Sequence, residues 1–161
     1  MVRVGIGLYG LWPSELVKKI AKRKGKKINL KPVLAWKTKV AQVKSVKKGK
    51  TIGYGRTFQV NRNMKIAILP TGYFDGFDRG FSNNGRVLIR GQFVDIVGRV
   101  MMNMTIVDVS HINGIRVADE VTLIGKQGEK EISADELAEK IDTINYEITT
   151  RINPSISRII V

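Results

Sequence analysis

"RVLIRGQFVDIVGRV", residues 86–100, is the stretch whose reading decides the fold. Apolar and polar residues alternate on both sides of "RGQ", as they do in a strand with one face in a core and one in water. Glycine at the bend admits the tight turn that joins two such strands, so the stretch reads as a β-hairpin. Working outward, further short segments rich in Val, Ile and Thr lie between Gly, Asn and Pro signals, at 33–46, 65–69, 104–109 and 120–124. The hairpin supplies two more, at 86–90 and 93–100. Strands recurring at this spacing indicate a mainly β domain, a small barrel or sandwich. In "KTKVAQVKSVKKGK" (37–50) the lysines partly alternate with Val40, Val43 and Val46, as on the outer face of a strand pair.

Helices interrupt this pattern at two places. In "SADELAEKID" (133–142), Ser133 and Glu136 have capping-box spacing and Leu137 with Ile141 makes an apolar i, i+4 pair. So short a helix must lean on the strands to persist. Ser14 can cap a basic helix from Glu15 to Lys24. Before it, "VRVGIGLYGLWPS" (2–14) reads as a buried strand, Val2 to Leu8, leaving through glycines into a turn at Trp12-Pro13. A buried strand followed at once by a linker helix looks like the last strand of a larger barrel. The expected division is therefore residues 1–27, a barrel remnant with its linker helix, and 28–161, a β domain.

Composition narrows the chemistry. The 161 residues are 43% hydrophobic and 26% charged, with no apolar run long enough to span a bilayer and no signal-peptide pattern, so a cytoplasmic location is expected. There is no cysteine and His111 is the only histidine, which argues against a disulfide and against a zinc centre. Catalysis would have to use lysine, tyrosine or a carboxylate. The net charge is +14, and residues 16–74 contain no Asp or Glu. Lys18, Lys19, Lys22, Arg23, Lys24, Lys26 and Lys27 crowd one segment, which suits either a phosphate backbone or a solvated surface. The solvated reading is preferred, because nucleic-acid surfaces interleave aromatics with arginines and this segment offers only Trp36 and little arginine. A stand-alone basic β-barrel that binds nucleic acid stays as the alternative, and a dimerisation module as a third.

"TIGYGRTF" (51–58) sets Tyr54 between Gly53 and Gly55. Flanking glycines serve a turn, and they also let a ligand or a second backbone approach the phenol. Five stretches taken together favour the second use: "RVGIGLYGL" (3–11), "GYGRTF" (53–58), "LPTGYFDGF" (69–77), "VGRVMMNMTIVDVS" (97–110) and "ISADELAEKIDTINYEITTRI" (132–152). In this order and with these gaps they resemble the C-terminal part of bacterial alanine racemases. The resemblance covers essentially the whole chain, and racemases for serine or for several amino acids share the motifs.

The resemblance implies a head-to-tail homodimer whose subunits each have an N-terminal (β/α)8 barrel carrying pyridoxal phosphate and a C-terminal β-rich domain. The substrate would be a small amino acid, alanine first, and no membrane is implied. Racemisation removes a proton from one face of the α-carbon and delivers one to the other, so two bases serve it better than one. One base would be the barrel lysine that also forms the Schiff base, the other Tyr54 acting in the partner's pocket. A phenol ordinarily titrates near 10, so it needs cationic or hydrogen-bonding neighbours to act as a base near neutrality.

Arg3 would face the cofactor's pyridine nitrogen and, holding its own proton, keep that nitrogen unprotonated. Gly5 and Ile6 would offer backbone amides to the phosphate, with the Tyr146 hydroxyl beside them. Tyr73 would line the entry with Tyr146, and Arg79, Arg99 and Ile144 would lie further out. Met102 would present its amide to the substrate carboxylate. The chain departs from the family at Met101-Met102-Asn103, where Cys-Met-Asp is usual, which bears on substrate preference. No lysine here has the context of the Schiff-base lysine, so the chain is expected to carry half of an active site and to be inactive alone.

Overall fold

The computed structural model describes residues 1 and 3–160. They fall into two compact units, Met1–Ala35 and Trp36–Val161. In the first unit, the strand expected from Val2 to Leu8 is instead a 3-10 helix over Gly5–Tyr9, with Val2 outside the described residues. A strand needs a neighbour for its backbone N–H and C=O groups, and no described strand pairs with this segment. Local bonds take over: the Gly10 N–H donates to the Gly7 carbonyl at 3.0 Å and the Leu11 N–H to that of Ile6 at 3.4 Å. Gly10 closes the turn at φ 71°, where a Cβ would come within 1.8 Å of the Lys31 carbonyl oxygen, so only glycine fits. Helix α1 (Glu15–Arg23) begins as expected at Ser14, whose hydroxyl accepts from the Val17 N–H at 3.3 Å.

The second unit is mainly β, and every strand pairing in it is antiparallel. Its strands are β1 (Trp36–Lys39), β2 (Gln42–Val46), β3 (Thr51–Ile52), β4 (Phe58–Gln59), β5 (Met64–Leu69), β6 (Arg86–Ile89), β7 (Gln92–Asp95), β8 (Thr105–Asp108), β9 (Glu120–Gln127) and β10 (Lys130–Ile132). One sheet runs β1-β9-β6-β7 with β10 also on β9, a second runs β2-β5-β8, and β3 and β4 form a two-stranded ribbon. Neither larger sheet returns on itself, so no closed barrel forms among the described residues. The expected pairing within 37–50 does not form either. The chain changes sheet at Val40-Ala41: the Val40 N–H donates to the Asp119 carbonyl and the Ala41 N–H to that of Ile68, both at 2.9 Å.

The hairpin at 86–95 is present as β6 and β7, joined through Arg90 and Gly91 at φ 51° and 70°. Paired left-handed residues match the right-handed twist of the flanking strands. Strict alternation fails in β6, where Val87, Leu88 and Ile89 are all fully buried, because that strand is covered on both faces. Phe77 and Phe81 extend the core with ring centroids 4.8 Å apart, and Trp36 meets Phe77 edge-on at 6.0 Å. A second cluster of Ile52, Val60, Met64, Ile66 and Val97, with Val46, Phe58 and Ile106 against it, seats the β3-β4 ribbon.

Helix α2 (Ala134–Lys140) is capped by Ser133, whose hydroxyl accepts from the Glu136 N–H at 3.0 Å, and it buries Ala134, Leu137 and Ala138. Helix α3 (Asn145–Thr150) follows directly. No helix among the described residues is long and apolar enough to cross a membrane.

Candidate active site

Tyr54 stands at the tip of the β3-β4 ribbon with 73% of its surface exposed. A ribbon of two residues per strand cannot hold a tip by itself. Its strand residues Ile52 and Phe58 sit in the apolar cluster, and the turn rests on a second turn at 97–99. Gly53, at φ 77°, lies so near that turn that a Cβ would come within 3.0 Å of the Arg99 nitrogen. From the other side, a Cβ on Gly98 would come within 3.0 Å of the Ile52 carbonyl oxygen. The two glycines let two backbones pack back to back, which fixes Tyr54 from beneath and leaves its side chain outside. The turn carries Arg56, and the turn below it carries the half-buried Arg99.

Tyr73, 43% exposed, occupies a second loop held almost wholly by main chain. The Tyr73 and Phe74 N–H groups donate to the Met101 and Met102 carbonyls, each at 3.0 Å. A Cβ on Gly72 would lie 2.0 Å from the Met101 oxygen, so glycine is required there by proximity. The Asp75 carboxylate accepts from the Gly72 N–H at 2.8 Å and tightens the turn. Tyr73 and Met102 are thereby brought together. Met102 is 53% exposed, and its N–H donates to no acceptor among the described residues.

Tyr146 is half-buried on α3, and Ile144 just before that helix is exposed. Arg151 ties the end of α3 to the loop after Tyr73, pairing with Asp78 at 2.7 Å and with Glu147 at 3.0 Å. Asn153 continues the strap: its side chain donates to the Phe74 carbonyl and its N–H to the Asp75 carbonyl, both at 3.0 Å. Arg79 lies between the buried anchors Phe77 and Phe81 and is itself exposed.

Arg3, Gly5 and Ile6 belong to the first unit and are described by themselves. Arg3 is exposed, Gly5 adopts φ 59°, and the Ile6 side chain is buried. The N–H groups of Gly5 and Ile6 open the 3-10 helix and donate to no described acceptor.

The residues that fasten these loops carry almost no local signal in the sequence. Asn83, Arg151 and Asn153 make the connecting bonds, yet only Asn83 leaves a local sign, since asparagine before a turn tolerates the left-handed φ of 56° it adopts. No metal-binding cluster of His, Cys, Asp or Glu occurs among the described residues.

Residues 33–160 match the family described as "Alanine racemase, C-terminal domain". The alanine racemase of Leptospira interrogans is 48% identical over 162 residues, covering 100% of this chain and 42% of that protein. That of Halothermothrix orenii is 50% identical over 159 residues, covering 98% and 40%. The chain thus spans about two fifths of the length of these curated relatives. Among solved structures, alanine racemase from Bacillus anthracis with bound L-Ala-P superposes with a TM-score of 0.83 at 40% identity, covering 92% of this chain and 36% of that one. Alanine racemase from Bartonella henselae with covalently bound pyridoxal phosphate gives 0.81 at 29% identity, covering 96% and 40%. With four fifths of its length matched by that family and its fold shared with these enzymes, the chain belongs to the alanine racemase family, as its C-terminal domain.

Proposed function

We propose that this chain supplies the tyrosine-bearing half of an alanine racemase active site, with Tyr54 moving the α-proton on one face of a substrate held by the barrel domain of a partner subunit. The observation that carries the reading is a phenol 73% exposed on a turn whose backbone is clamped from below. An exposed aromatic gains nothing for its own fold, whereas a rigid base offered to another surface loses little order on docking.

Pyridoxal phosphate would supply electron withdrawal from the α-carbon. The amides of Gly5 and Ile6 fit its phosphate, since neither is committed to a described acceptor and backbone N–H groups at the start of a helical turn suit an anion. Tyr146 would complete the hold through its hydroxyl, and Arg3 would face the ring nitrogen, donating a hydrogen bond it cannot surrender as a proton. Met102 would donate its uncommitted N–H to the substrate carboxylate, and Tyr73 would narrow the entry. Tyr54 would accept or return the α-proton at its phenolic oxygen. Two chains would pair head to tail, so that each Tyr54 serves the other subunit, in the cytoplasm.

Tyr54→Phe in a racemase that carries this chain as its C-terminal domain removes one oxygen and no packing. Turnover is expected to fall by roughly 10²-fold or more with substrate KM little changed. Undiminished turnover would remove the assignment. The basic nucleic-acid module gains no specific support: Lys37 pairs with Glu120 at 2.9 Å, and the exposed lysines of 37–50 are divided between β1, β2 of a different sheet and the turn that follows β2.

A further inference from the structure

Two loops that carry expected site residues meet at the Asn83 side chain, and its neighbour Ser82 ties in a third. Asn83 gives its N–H to the Gly98 carbonyl at 3.2 Å, and its side-chain oxygen accepts from the Gly98 N–H at 2.6 Å. One residue therefore satisfies both polar groups of a buried glycine that has no side chain of its own. The remaining donor, Nδ2, reaches the Thr57 carbonyl at 3.3 Å, in the turn that carries Tyr54. Next to it, the Ser82 hydroxyl accepts from the Val100 N–H at 3.0 Å and donates to the Arg79 carbonyl at 2.5 Å. The pair thus joins the Arg79 loop, the Gly98-Arg99 turn and the Tyr54 turn.

We infer that Asn83 is a positioning residue for Tyr54: it sets the height and tilt of the phenol by holding Thr57 at one end of the turn while Gly53 rests on Gly98-Arg99 at the other. This rests on the proposed role of Tyr54. The geometry favours positioning over mere support, because Ile52 and Phe58 already seat the ribbon through the apolar cluster. What Asn83 adds is the one side-chain bond from outside the ribbon to the tip among the described residues. Proton transfer depends steeply on the separation of the reacting atoms, so a small displacement of the tip acts on the rate before it acts on folding.

The test uses the racemase holoenzyme carrying Asn83→Asp. Aspartate tolerates the same φ and still accepts from Gly98, but it sets an oxygen against the Thr57 carbonyl. Turnover is expected to fall about tenfold with KM within about twofold, and loss of the α-proton to deuterated solvent should slow for one enantiomer and not the other. A general loosening would slow both. Tyr54→Phe is run alongside: if it leaves turnover intact the role of Tyr54 fails, and if it collapses turnover while Asn83→Asp leaves turnover at the unsubstituted level, the inference alone fails. Should the Asp variant not fold, Asn83→Gly keeps the backbone conformation without the strap, and the same asymmetry is expected. Hydrogen exchange on the unsubstituted protein adds an independent reading, with the Gly98 amide expected to be protected like the amides of β8. Exchange at the rate of an exposed loop would overturn the strap.

Discussion

Tyr54 and its two glycines show how one side chain is given a function by residues that have none. Gly55 could be left with modest strain, since a Cβ there would meet only the Thr57 methyl at 3.6 Å, although its φ of 69° still disfavours a side chain. Gly53 combines φ 77° with a backbone 3.0 Å away. Gly53→Ala is therefore expected to cost about 1–3 kcal/mol, more than Gly55→Ala, in a thermal or denaturant melt of the chain. Equal losses would mean that the contact with Arg99 is not tight. Gly72 is the more demanding position, because its hypothetical Cβ falls 2.0 Å from a carbonyl oxygen. Gly72→Ala should displace the Tyr73 loop from Met101-Met102, visible as loss of protection at the Tyr73 and Phe74 amides. The glycine-tyrosine-glycine motif was legible in the sequence, but its physical basis was not. The sequence suggested room for the phenol to reach outward, whereas the structure adds that Gly53 is needed for what lies underneath.

Elements were legible where their signals are local. The 86–95 hairpin, the Ser133 cap and the Ser14 cap each rest on residues within a few positions of one another, and each is present. Strand pairing at 37–50 differs from the local pattern because Val40-Ala41 divides one apparent run between two sheets, and only distant partners, Asp119 and Ile68, determine that. The N-terminal run coils into a 3-10 helix because apolar content alone does not supply a neighbouring strand. Charged pairs fasten several ends. At the end of β8, burial pushes the Asp108 carboxyl up, but the hydroxyl and amide of Ser110 and the guanidinium of Arg62 outweigh it, so the carboxyl lies below the ordinary range. A carboxyl depressed on folding contributes stability above its unfolded value, near 3.9, and loses it as pH falls through the lower folded value. Acid titration of stability should accordingly be shallower below about pH 4 in Asp108→Asn than in the unsubstituted chain. Identical acid limbs would assign that sensitivity elsewhere. Arg151→Ala, which frees Asp78 and Glu147 together, should loosen the tie between α3 and the Tyr73 loop and raise KM more than it lowers kcat.

At the scale of the molecule, a β unit presents two tyrosine-bearing loops on a frame of main-chain contacts, and a separate unit presents two amides that donate to no acceptor among the described residues. Five short motifs made the family legible, and four of them lie where close backbone approach at Gly10, Gly53, Gly72, Gly76 or Gly98 tolerates few residues. The links between loops were not legible, since Asn83, Arg151 and Asn153 act across distances in sequence that no local pattern records. A chain of this kind, with no lysine in the expected cofactor context, should neither racemise alanine nor develop a lysine-dependent chromophore with pyridoxal phosphate when studied alone. The most direct measurement is α-proton exchange into deuterated solvent, followed from each alanine enantiomer separately, in a racemase carrying Tyr54→Phe within this domain. With one base removed, exchange should nearly cease from one enantiomer and persist from the other, while overall racemisation collapses. Equal exchange from both enantiomers, at the rate of the unsubstituted enzyme, would contradict the placement of Tyr54 as the acid and base of a single face.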